Sequence, residues 1–138
     1  MIPLLLFLIL GTVSDIKNRS IPAILFLIFG MLGLLEYMLY GRTALINELM
    51  GIILGIVFIA VSLISENRLG MGDALAILIT GVFLGGMEAS CALLCAMLIS
   101  AFVSIIILAL RRGDRSTALP FIPFLLAGYI LEKLGAVI

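Results

Sequence analysis

The chain has 138 residues, 64% of them apolar and 12% charged, with zero formal net charge and a mean hydropathy of +1.42. A water-soluble domain carries about half apolar and about a quarter charged residues, so lipid is the solvent that suits this composition. Without a basic excess or any His, a nucleic-acid partner, a Ser-His-Asp triad, a Cys-His pair and a His-ligated metal are all excluded.

Residues 1–14 form the first apolar segment. No Lys or Arg precedes it and no small-x-small cleavage site follows, so it reads as a retained span rather than a signal peptide. A polar stretch from Ser14 to Ser20 comes next, then a second apolar segment over 22–40 and a short break at Gly41, Arg42 and Thr43. The third segment covers 44–64 and ends at Ser65-Glu66-Asn67-Arg68, followed by Gly70-Met71-Gly72-Asp73. A fourth covers 74–84, with Gly85-Gly86-Met87-Glu88 after it. The fifth, 89–110, holds Cys91 and Cys95 at helical i,i+4 spacing, too far apart for a disulfide. After Arg111 to Ser116, the sixth runs over 119–135.

A segment in lipid must satisfy its own backbone hydrogen bonds, so each of the six is expected to be a helix. The second, third and fifth reach the roughly 20 residues that a span needs. The others are shorter, which calls for local thinning of the bilayer or for polar motifs immersed below the headgroups. The charges add an orientation. Loops one, three and five hold Lys17, Arg19, Arg68, Arg111, Arg112 and Arg115, whereas the opposite side holds Arg42 and Lys133. The positive-inside rule then places the odd loops in the cytoplasm and both termini outside. The expected fold is an all-α membrane protein, a polytopic bundle of about six transmembrane helices forming one domain over 1–138. Gly51-x-x-x-Gly55 and Gly81-x-x-x-Gly85 are expected to pack helices tightly within the chain.

That topology puts Asp15, at the end of the first span, and Asp73, at the start of the fourth, on the same side of the membrane. A charged Asp near hydrocarbon is costly unless it is paired, hydrated or protonated. Two carboxylates sharing one proton solve that problem, and the same arrangement is the working state of an aspartyl protease. Gly70 and Gly72 beside Asp73 offer positive φ and close backbone approach, so an extended substrate strand has room to lie there. The plainer alternatives are an ordinary Gly-rich turn with Asp73 as a helix N-cap, and an interfacial Asp15 paired with Lys17 or Arg19.

Three motifs in order resemble the type IV prepilin peptidases, a family of membrane aspartyl proteases. Asp15-Ile-Lys-Asn-Arg-Ser-Ile21-Pro22 resembles their first motif, and Gly70-Met-Gly-Asp73 their Gly-x-Gly-Asp motif. Leu119-Pro120-Phe121-Ile122-Pro123-Phe124 is similar to their late Pro-Phe-x-Pro-Phe stretch, which opens the last span. The resemblance implies an endopeptidase that removes the basic leader from prepilin-like precursors of a type IV pilus or secretion system. It would work at the cytoplasmic face of the inner membrane. Asp15 and Asp73 carry over as the catalytic pair, Gly70 and Gly72 as the backbone glycines of the substrate site. Glu66 is a candidate contact for the basic leader. The implied partners are the membrane-embedded precursor and the bilayer; no metal or organic cofactor is implied.

Two departures stand out. Leu75 occupies a position where the family commonly has Lys, and the large Cys-motif cytoplasmic insertion of the bifunctional members is absent. The second favours a compact peptidase over a form that also N-methylates. Two other classes fit the same residues: a non-catalytic assembly subunit, and a small transporter in which Asp15 and Asp73 relay ions or protons.

Overall fold

The computed structural model describes residues 2–18, 21–40, 45–65, 70–110 and 120–135. Among them are six α-helices and no strand: α1 (Ile2–Asn18), α2 (Ala23–Tyr40), α3 (Leu45–Ile64), α4 (Met71–Leu84), α5 (Gly86–Ala109) and α6 (Ile122–Gly135). Each apolar segment became one helix, but three boundaries moved. α1 runs through Ser14 to Asn18, because that stretch contains no helix breaker and Lys17 suits a helix C-terminus. Asp15 is therefore helical, not in a loop. α4 starts at Met71, with Gly70 preceding it. Between α4 and α5 the expected four-residue break is a single residue, Gly85.

Gly85 has φ 79°, a left-handed conformation that favours glycine. A Cβ there would also meet the Asn47 side-chain nitrogen at 2.5 Å. Asn47 of α3 secures this turn from below, its Oδ1 accepting the Met87 N–H at 3.0 Å.

The small residues set the packing. A Cβ on Gly51 would run into the Gly81 carbonyl, and one on Gly55 into the backbone of Leu78. α3 and α4 thus touch backbone to backbone, and the Gly-x-x-x-Gly pairs act inside the chain as expected. In the same way Gly128 of α6 lies against Ala92 and Ala96 of α5. Phe7 of α1 packs its ring, tilted, against those of Phe29 and Phe26 of α2, with centroids 5.4 and 5.9 Å away. Leu4, Leu8, Ile77, Ile122 and Leu125 complete a core shared by α1, α4 and α6.

The outside is apolar. Ile46, Met38, Leu98 and Phe102 are all at least two-thirds exposed. α3 and α5 have the length and hydropathy of membrane spans (2.2 and 2.8), and only 22% and 17% of those stretches are buried inside the bundle. A core helix of a soluble protein would be mostly buried, so these two faces suit lipid. Of the six expected spans, these two meet the length test among the described residues; α2 and α4 are apolar but shorter. Hydroxyls along the helices bond back to their own turns, as Thr80 does to the Ala76 carbonyl at 2.8 Å. Cys91 and Cys95 are unbridged; Cys91 is exposed and Cys95 half-buried.

Candidate active site

The contacts define two ends of the bundle. At one end, Ile21 just before α2 lies beside Gly72 of α4, and Ile122 of α6 lies against Gly11 of α1. At the other, Asn47 meets Gly85 and Met87, and Lys133 near the end of α6 pairs with Glu88 at the start of α5. Asp15 and Asp73 are both at the first end.

Asp15 sits one turn before the end of α1 and is half-buried. Its Oδ2 accepts the backbone N–H of Ile122, the first residue of α6, at 3.4 Å. Asp73 sits in the first turn of α4, also half-buried, with the wholly buried Ala74 and Ala76 following. It is not the N-cap; that position is Gly70, and no side chain caps the helix. The Gly70 carbonyl instead accepts the N–H groups of Asp73 and Ala74 at 3.0 and 3.2 Å. The two aspartates lie close enough for the charge of Asp15 to act on Asp73.

The two glycines differ. A Cβ on Gly70 would lie 3.0 Å from Asp73 Oδ2, so any side chain here presses on the carboxylate. A Cβ on Gly72 would make only an ordinary 3.5 Å contact with Ile21. Neither residue has positive φ: Gly70 is at −56°, and Gly85 is the one positive-φ glycine among the described residues. Close approach to Asp73, not left-handed backbone, explains Gly70. Glu66 lies outside the described residues, as do Arg19, Arg68 and the basic residues at 111–115. Leu75, at the position of the family's usual Lys, is half-buried on α4.

α4 and α5 diverge from the turn at Gly85, and their unequal lengths shape this end. At 1.5 Å per residue the 14 residues of α4 cover about 21 Å and the 24 of α5 about 36 Å. Asp73, two residues into α4, is therefore about 18 Å of helix rise from the Gly85 turn.

Sequence reasoning missed the Ile122 amide. The Pro-Phe-Ile-Pro-Phe stretch marked the start of α6, but nothing local says that its first N–H faces Asp15 across the fold. Among the described residues no cluster of His, Cys, Asp and Glu has the arrangement of a metal site.

No curated protein and no solved structure matched the chain. The type IV leader peptidase family matched it over residues 2–109, which takes in α1 to α5 and both aspartates and stops before α6. That match covers well over half of the 138 residues and agrees with apolar helices bare enough to face lipid. The chain is thus a membrane protein with a peptidase ancestry, and it belongs to the type IV leader peptidase family.

Proposed function

We propose that the protein is an aspartic endopeptidase of six membrane spans in one domain. It cleaves the basic leader from prepilin-like precursors at the cytoplasmic face of the inner membrane, in the service of a pilus or secretion system. The observation that carries the reading is the convergence of Asp15 and Asp73, from helices far apart in sequence, within reach of each other's charge.

Two close carboxylates resist ionising together, so the pair holds one proton. A water between them loses a proton to the ionised Asp as its oxygen attacks the scissile carbonyl carbon. The protonated Asp gives its proton to the carbonyl oxygen, and a tetrahedral diol forms. Collapse breaks the C–N bond and passes a proton to the leaving amine. Gly70 keeps the space around the Asp73 carboxylate clear, and the open side of Gly72 leaves room for a substrate backbone. Glu66 is assigned to the basic residues of the leader, outside the chemistry itself.

Co-expression with a pilin-like precursor tests this reading. Asp15→Asn and Asp73→Asn should each abolish leader removal, seen as a mobility shift on gels, while the protein still accumulates in membranes. Glu66→Gln should keep most activity. Cleavage retained by either Asp variant removes that residue from the mechanism.

A further inference from the structure

We infer that the backbone amide of Ile122, at the start of α6, is a positioning group that holds Asp15 as the proton-accepting member of the pair, leaving Asp73 as the donor. The assignment rests on the peptidase reading and adds to it the roles of the two acids.

A helix leaves its first N–H groups without partners inside the helix, and those groups stabilise negative charge placed before them. In Pro120-Phe121-Ile122-Pro123-Phe124 the two prolines have no N–H to offer. The N–H groups of Phe124 and Leu125 are taken by the Phe121 carbonyl at 3.0 and 3.1 Å. The Ile122 N–H points away from its own helix and donates to Asp15 Oδ2.

The anchorage of this donor is firm. The Ile122 side chain is fully buried against Gly11, one turn before Asp15 on the same helix. One residue thus packs on α1 with its side chain and reaches the carboxylate with its backbone. Pro123 in the first helical turn fixes the local φ and suits that position.

Among the described residues Asp73 has no equivalent. It also sits at a helix start, but the nearby amides of Asp73 and Ala74 are spent on the Gly70 carbonyl. Among the described residues, no donor reaches its carboxylate. A hydrogen bond from an amide fits a carboxylate that accepts a proton from water, and orients it. The acid without that bond is the one able to hold the shared proton and pass it to the substrate carbonyl.

Two substitutions separate the amide from the side chain. Ile122→Pro and Ile122→Ala both remove the buried side chain, but only Ile122→Pro removes the N–H, at a helix position that accepts proline. Leader cleavage in proteoliposomes should show kcat about tenfold lower in Ile122→Pro than in Ile122→Ala, with similar KM, the size of one lost hydrogen bond to a charged group. The second readout needs no substrate. The infrared carboxylate band that disappears in Asp15→Asn should move in Ile122→Pro and keep its wild-type position in Ile122→Ala. If Ile122→Pro does not accumulate, replacing the Ile122 amide by an ester removes the same donor and keeps the side chain; it should reproduce both effects.

Equal kcat in the two variants, or a band that moves equally in both, overturns the inference. A moved band in an enzyme that cleaves no precursor would sink the peptidase reading and leave the Asp15 contact standing. An unmoved band in an enzyme that needs both aspartates does the reverse.

Discussion

The two ends of the bundle treat their acids in opposite ways. At the Gly85 end, Glu88 and Glu132 share Lys133, whose Nζ lies 2.6 Å from one carboxylate and 3.2 Å from the other. At the opposite end, Asp15 and Asp73 lie within reach of each other's charge, and the described hydrogen bond to the pair comes from an uncharged backbone amide, that of Ile122 to Asp15. Negative charge neutralised by a cation has a structural explanation. Two acids brought together, with no cation bound to either among the described residues, repel each other unless a proton is shared. One end thus couples acids to a cation, and the other couples an acid to a second acid and a backbone amide.

Removing an acid has the largest expected effect. Asp15→Asn or Asp73→Asn should lower cleavage by about a thousandfold, the scale of a lost proton-transfer group. Glu88→Gln should leave the rate within about twofold, since that end lies away from the chemistry. A precursor-cleavage time course in matched vesicles reads both. Next in size is the scaffold that holds the ends apart. Gly81→Leu drives a side chain into the Gly51 carbonyl and should destabilise the bundle by about 3 kcal/mol, measured as resistance to unfolding in mixed detergent.

Smaller effects sharpen the contrast. Gly70→Ala places a methyl 3.0 Å from Asp73 Oδ2 and should lower kcat about tenfold with unchanged unfolding, a shift in one polar contact. Gly72→Ala, which makes only a 3.5 Å contact, should preserve stability and raise KM if substrate lies there. The smallest effect belongs to Lys133→Ala. That ion pair is partly exposed, so its loss should cost about 1 kcal/mol or less and leave kcat unchanged.

The helical segments were legible because an apolar run in lipid has one backbone solution, and the glycine spacings foretold where α3 and α4 meet. The boundaries were less so. Ser14 to Asn18 looks like a loop by polarity, yet it holds no Pro or Gly, so the helix continues and carries Asp15 into its last turn. Gly85 looked like part of a polar loop because Glu88 follows it; in the fold only Gly85 turns, and Glu88 opens α5. Both aspartates were visible through their motifs. The Ile122 amide was not, since a backbone donor has no residue signature and its target lies 107 positions away.

The shortness of α4 has a consequence for the lipid around it. A hydrocarbon core is about 30 Å thick, whereas the 14 residues of α4 rise about 21 Å. A bilayer of ordinary thickness therefore leaves one tip of this helix below the headgroups unless the leaflets are compressed around it. Compression of that kind would carry headgroup water toward the tip and lower the cost of holding a carboxyl group there.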